Sequence, residues 1–520
     1  MCGSDSSAAV RRFSAWGRCA PAAAASILIA GLFVSCPSAA PQPPPPKEAT
    51  TEEVHRLCAA CHAYPPADSF PRSAWRREVK QGYDFFHEDP SYRFDYPPLD
   101  AVVRYYENRA PAALAELPRH PSTLPPRIRF DRQDLRTPAP GPPGITHLKI
   151  AQLSDKGQPD LLCCDAINRQ VSALNFHTSA WTVLAQGLCC AHAEVVDLDG
   201  DGVRDVVLAC LGSFYATDTR VGSVVWLRRS ADGRTTPVTL LDGLGRVADV
   251  QAADFNGDGK LDLIVAEFGW RHTGSILLLE NQTTDWNQPV FVPRMLDNRH
   301  GTTHVQVADL NRDGKPDFVA AISQEHETVV AFINEGSGRF HKETIYTAPH
   351  PAFGINGLQL ADLDGDGDLD MLLTNGDALD QPYVLKPYHG LTWLENRGSY
   401  PFTPRRLLDC HGAGSPVVAD FDGNGLLDIV VTVFLPHDAF PQREAQGLES
   451  VMLLEQAAPG KFERYVLERQ TCDHLAGAAG DVNGDGRPDL VIGNFAPGGG
   501  AVVAVSVWRN ITEKTARFGR

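Results

Sequence analysis

The residues best placed to do chemistry are Cys58-Ala59-Ala60-Cys61-His62. Two thiols about one helical turn apart can add to the two vinyl groups of a haem, and the adjacent imidazole can take the iron. A zinc site would need a second cysteine pair, and a thioredoxin-like redox pair would need a βαβ surround; neither accompanies the motif. The reading is therefore one covalent haem c held by Cys58, Cys61 and His62. The methionines are Met1, Met295, Met371 and Met452, so none lies between 50 and 120 to serve as a sixth ligand. That leaves His55, His87 and His120. His55 stands only three residues before Cys58, and His87, expected in a Pro-rich loop after a helix, is the first choice.

A second chemistry repeats along the chain. Six acidic loops share one spacing: Asp197, Asp199, Asp201, Val203 and Asp205; Asp254, Asn256, Asp258, Lys260 and Asp262; Asp309, Asn311, Asp313, Lys315 and Asp317; Asp362, Asp364, Asp366, Asp368 and Asp370; Asp420, Asp422, Asn424, Leu426 and Asp428; Asp481, Asn483, Asp485, Arg487 and Asp489. These are positions 1, 3, 5, 7 and 9. Side-chain oxygens from four of them and the position 7 carbonyl can surround Ca²⁺, with glycine at position 6 for the sharp turn. An EF-hand would carry Glu at position 12, where this chain has Leu208, Val265, Ala320, Leu373, Val431 and Ile492. Up to six Ca²⁺ are expected, in a stabilising role, because so many carboxylates repel one another without cations. A degenerate copy from Gln152 to Asp160 has lost its acidic positions 1, 3 and 5 and should keep the fold without the metal.

The elements that position these residues follow from periodicity. Thr51-Glu52-Glu53 starts a helix that runs into the haem motif, and Ser73–Tyr83 and Leu99–Leu114 have helical spacing. Beyond them the chain turns to short strands. Seven copies of a unit of roughly 45 to 60 residues, each with four strands, imply a seven-bladed β-propeller. The last copy lacks a fourth strand, which Arg127 to Leu135 can supply to close the ring. The expected organisation is a signal peptide over 1–36, a Pro-rich spacer over 37–50, an all-α cytochrome c-like domain over 51–118 and an all-β propeller over 122–520. A short linker from Pro118 to Pro126 implies a restricted hinge.

The N-terminal order of arginines, apolar run and small residues is that of an export signal. Phe33-Val34-Ser35-Cys36 resembles a bacterial lipobox, implying a lipid anchor at Cys36 and a periplasmic or cell-surface location. The haem motif between two helices resembles the small monohaem cytochrome c fold. The acidic repeats resemble FG-GAP (VCBS) propellers, including bacterial proteins that fuse such a propeller to a monohaem cytochrome. With 47 Lys+Arg against 64 Asp+Glu, the net charge of −17 argues against nucleic acid as a partner. No stretch after residue 36 is apolar for long enough to span a membrane.

Other candidates are less specific. The residue five before each loop is His147, His192, Asp249 and His304 in four successive copies, with His300, His411 and His474 nearby; four titratable groups at one strand position can form a ring at the channel mouth. Gln324-Glu325-His326-Glu327, Asn375 to Asp377 and Tyr388-His389 sit on longer loops, where binding residues often lie. Cys163-Cys164, Cys189-Cys190 and Cys210 are disulfide candidates in an exported chain. The favoured function is electron transfer through the haem, with the propeller as a docking platform for a redox partner. The alternatives are an oxidoreductase whose propeller binds a small-molecule donor near His304, His326 or His389, and an adhesion or carbohydrate-binding propeller. No catalytic triad or nucleophile motif decides whether the chain is an enzyme.

Overall fold

The computed structural model describes residues 47–60, 62–88, 94–118, 125–153, 159–379, 381–498 and 503–513. The signal segment with Cys36, most of the Pro-rich spacer, Cys61, His120 and the middle of the degenerate copy lie outside the described residues. Among the described residues no helix is long and apolar enough to cross a membrane.

Helix α1, Thr51–Cys58, starts where Thr50 accepts from the Glu53 amide at 3.2 Å and Glu53 accepts from the Thr50 amide at 2.8 Å, a reciprocal cap that satisfies two otherwise unpaired donors. Helix α2 spans Trp75–Glu88, five residues beyond the sequence expectation. Its buried stripe of Trp75, Val79, Tyr83 and Phe86 continues past Tyr83, so packing carries the helix on. His87 therefore lies in the last turn of α2 and not in the loop after it. Helix α3, Leu99–Arg109, ends before Leu114 because Pro111 cannot donate an amide and disfavours helical backbone at Ala110, which is extended. The three helices share one aromatic core, in which Trp75 stacks on Tyr106 with centroids 3.8 Å apart.

The described residues form one compact unit, most of it a seven-bladed β-propeller. Each blade is a four-stranded antiparallel sheet, and the seven first strands touch one another in a closed ring. Six blades run in simple chain order. The seventh is completed from the other end of the chain: Phe130–Leu135 pairs antiparallel with Val505–Asn510, with Phe130 opposite Asn510 and Leu135 opposite Val505. The second strands are buried throughout, as in Asp205–Cys210 and Asp262–Glu267. Sandwiched between neighbouring blades, their central residues read as apolar runs and do not alternate. Each fully buried Val or Leu there contributes roughly 1.5–3 kcal/mol.

Candidate functional site

The acidic loops all join a first strand to a second strand, so they lie on one face of the propeller. Their internal geometry repeats: the position 1 carboxylate accepts from the position 6 glycine amide, at 2.9 Å from Gly202 to Asp197 and 2.8 Å from Gly486 to Asp481. Gly202 has φ +86, a left-handed turn that a side chain would strain. Three loops bring carboxylate oxygens within 4.8 Å of one another: Asp197, Asp199 and Asp205; Asp362, Asp364 and Asp366; Asp420, Asp422 and Asp428. One oxygen of Asp420 is buried with no hydrogen-bond partner.

Position 9 has a second job that the spacing did not reveal. Asp205 accepts from the Arg229 amide at 2.7 Å and the Leu198 amide at 3.3 Å, tying the third strand to the loop. Asp317 does the same with Asn334 at 2.7 Å and Leu310 at 2.9 Å, and Asp489 with Asn510 at 2.7 Å and Val482 at 3.1 Å. In the degenerate copy Asp160 still accepts from Leu153 at 3.2 Å. The carboxylate that survives the loss of positions 1, 3 and 5 is thus the one that clamps the blade. Burial pushes Asp205, Asp262 and Asp370 up to about 6 and Asp428 up to about 8.

At the other end of the first strands a bulge recurs. Pairing to the second strand skips between Ile145 and His147, Cys190 and His192, Val247 and Asp249, and Thr302 and His304. A bulge re-aims the side chain beside it. Here it brings His147 and His192 to a centroid distance of 4.2 Å, and His192 Nδ1 to 3.0 Å from Asp249. Asp249 also accepts from the Val305 amide of the next blade at 3.0 Å. Burial pushes Asp249 up to about 8, His147 down to about 3 and His304 down to about 4. In the next copy the same position is Gly357, beside a bulge between Ile355 and Gly357, so the bulky groups line one side of the ring only. His474, His411 and His300 do not join them: His474 is held by Asn494 and Glu468, both at 2.7 Å, His411 meets the Lys386 carbonyl at 3.0 Å, and His300 meets Glu325 at 3.0 Å.

The helices pack against this second face. Tyr388 donates to the Ser69 carbonyl at 3.2 Å, Arg77 to Gln381 at 2.7 Å, and Arg271 lies 4.1 Å from the centre of the Phe85 ring. Ala352 and Val384 join the helical core. Cys58 closes α1 with its thiol in that core, where burial raises its pKa. His62 Nδ1 lies 2.8 Å from the Ala63 carbonyl, which can only accept, so Nδ1 is the donor in that contact and Nε2 is left outside it. His87 is exposed, with Nε2 2.5 Å from the Tyr96 hydroxyl, and is not brought to Cys58 or His62 by any described hydrogen bond. His55 stacks on Tyr64 at 3.8 Å. His389 is buried beside Tyr388, while Asp377 accepts from the Leu379 amide at 2.9 Å.

Two of the candidate cysteines meet within a single blade. Cys190 and Cys210 are directly opposite on the first two strands of blade two, with sulfurs 2.9 Å apart. Cys163, Cys164 and Cys189 are buried thiols.

FG-GAP repeats are found within the propeller. The FG-GAP-like repeat matches residues 197–265 and 309–373, and the FG-GAP repeat matches 475–508. The chain is 25% identical over 267 residues to the T-cell immunomodulatory protein homolog of Plasmodium falciparum (isolate 3D7), covering 46% of this chain and 33% of that protein. It is 28% identical over 144 residues to cartilage acidic protein 1 of Homo sapiens, covering 26% of this chain and 20% of that protein. The chain thus spans a third or less of the length of these curated relatives. The crystal structure of BBS1N in complex with ARL6DN, soaked with lead, overlaps 75% of this chain and 98% of its own at 10% identity and a TM-score of 0.45.

Proposed function

We propose that this chain is an exported electron-transfer protein that holds one covalent haem c through Cys58 and Cys61, with a calcium-stabilised FG-GAP propeller as the docking or binding platform. The observation that carries the reading is His62: its Nδ1 proton is held by a backbone carbonyl, which leaves Nε2 as the free donor that a proximal haem ligand requires. When bound, haem supplies one-electron chemistry. The chain's own part is to present Cys58 at the end of a capped helix beside an aromatic core and to seat the helices on the propeller. His87 as sixth ligand would have to exchange Tyr96 for iron.

The acidic loops fit Ca²⁺: their donors are hard oxygens, three sets already converge, and Asp420 has an unsatisfied buried oxygen. The position 7 carbonyls of Val203, Lys260, Lys315, Asp368, Leu426 and Arg487 complete the donor sets. An export signal with an anchor at Cys36 would place the protein in the periplasm or at the cell surface, where a redox protein or a small-molecule donor would meet it.

The oxidoreductase reading has one observation in its favour: the helices rest on the loops that carry Tyr388 and His389, so a donor bound there would lie beside the haem domain. Reduction by a small molecule without any partner protein distinguishes it. The primary test is covalency. Protein matured in a host that attaches c-type haem should keep the haem absorbance on the chain after denaturation and acid–acetone extraction, and Cys58→Ser should weaken or abolish it. Complete extraction of haem from the wild-type chain would overturn the proposal.

A further inference from the structure

Two loops on the helix-bearing face meet where neither was expected to find the other. His300 lies in the turn before blade four, and Glu325 and His326 lie in the turn between that blade's second and third strands. His300 Nε2 is 3.0 Å from Glu325, and the two imidazole rings have centroids 5.1 Å apart. One ligand atom from each of His300, Glu325 and His326 falls within 4.8 Å of the other two. His326 Nε2 is buried and has no hydrogen-bond partner. An unpaired buried imidazole nitrogen is costly, which makes it a pointer to something that binds there.

The frame around these groups is rigid and strained. Gln324 and Glu327, on either side of the pair, have φ of +55 and +42, left-handed values that non-glycine residues adopt at a cost of about 1–3 kcal/mol. Glu327 is buried and accepts from the Ile355 amide at 2.8 Å, while its own carbonyl accepts from Ala348 at 2.8 Å, so blade five's entry holds the turn. The Ser323 amide donates to the Gly301 carbonyl at 2.8 Å and locks one loop to the other. The neighbouring Arg299 is neutralised by Asp297, with contacts of 3.0 and 2.8 Å.

We propose that His300, Glu325 and His326 bind a divalent transition ion of the Zn²⁺ class, separate from the calcium loops on the opposite face. Two imidazole nitrogens and one carboxylate are a borderline-soft donor set, which suits Zn²⁺ and not Ca²⁺. Three protein ligands leave a coordination position for water or a small anionic ligand. Donors around tetrahedral Zn²⁺ stand roughly 3.4 Å apart, so closing the set takes about an ångström of side-chain motion, within reach of rotamer adjustment on a fixed turn.

The test uses the full-length protein with Ca²⁺ in excess, so that the acidic loops are filled, and Zn²⁺ titrated in competition with a chromophoric chelator. Wild type and a His192→Ala control should bind one equivalent of Zn²⁺ at micromolar concentration or below. His326→Ala should lose at least tenfold in affinity, with unchanged far-UV circular dichroism. Should His326→Ala fail to fold, Glu325→Gln, which keeps the side chain's shape, takes its place and should show the same loss. Wild-type protein that binds no Zn²⁺, folded variants that bind it as tightly as wild type, or loss of the ion in His192→Ala alone would overturn the proposal.

Discussion

Asp249 shows what a single position in the ring does. It is buried, accepts from amides in two neighbouring blades and stands 3.0 Å from His192, with its pKa pushed up to about 8 by burial. The protonated carboxyl is the form the fold favours. Its stabilising contribution is therefore complete below the unfolded value near 4 and is lost as pH rises towards 8. The stability advantage of wild type over Asp249→Asn should shrink across that window by up to about 1.4 kcal/mol per pH unit, measured by denaturant unfolding at a series of pH values. A difference that is flat in pH would mean the carboxyl is ionised throughout. The position was legible in the sequence as a shared offset from the acidic loops. The bulge that aims His147, His192, Asp249 and His304 into one row was not, because a bulge is a pairing relation and leaves no residue type behind. His300 and His326 were read as separate candidates for the same reason: their meeting depends on how two turns of one blade fold back together.

At the scale of the element, the acidic loop combines two functions that can be separated by mutation. Asp201, at position 5, is exposed and makes a local bond to the Val203 amide at 2.8 Å. Position 9 is buried and ties three parts of the blade. In EDTA, Asp205→Ala should cost about 2–4 kcal/mol, since it strands two backbone amides, whereas Asp201→Ala should cost under about 1 kcal/mol. With Ca²⁺ present, both should lose part of the calcium-dependent gain in Tm. Equal losses in EDTA would contradict the clamp. The clue was in the sequence at the end of the third strands, where Asn281, Asn334, Asn396 and Asn510 each donate an amide to a position 9 aspartate and a side-chain NH₂ to a carbonyl near the loop. The opposed pair Cys190 and Cys210 makes a further prediction: in protein recovered from an oxidising compartment, alkylation of the denatured, unreduced chain should leave these two thiols unmodified, and reduction should expose both together.

Over the whole molecule, the ring is held shut by one strand from before the first blade, and the helices lie just upstream of that strand. Deleting residues through Leu135 should therefore open the propeller as well as remove the haem motif, lowering Tm by several degrees or more relative to a deletion that stops before Pro125. Chelation of Ca²⁺ should lower Tm in proportion to the number of loops emptied, without changing the bladed topology. The propeller was legible because a seven-fold repeat states its architecture many times over. The seating of the helices on the loop face was not, since Ser69 to Tyr388 and Arg77 to Gln381 are contacts between segments some 300 residues apart with no pattern in common.

The central claim is that the chain carries an electron on one haem. The most direct measurement is the visible absorption spectrum of the protein matured with c-type haem, oxidised and then reduced with dithionite. Sharp low-spin α and β bands on reduction, retained with Ca²⁺ bound and lost in His62→Ala, are the predicted result. A protein that matures, folds and shows no haem band in either state would contradict the account and leave a propeller with FG-GAP repeats in its place.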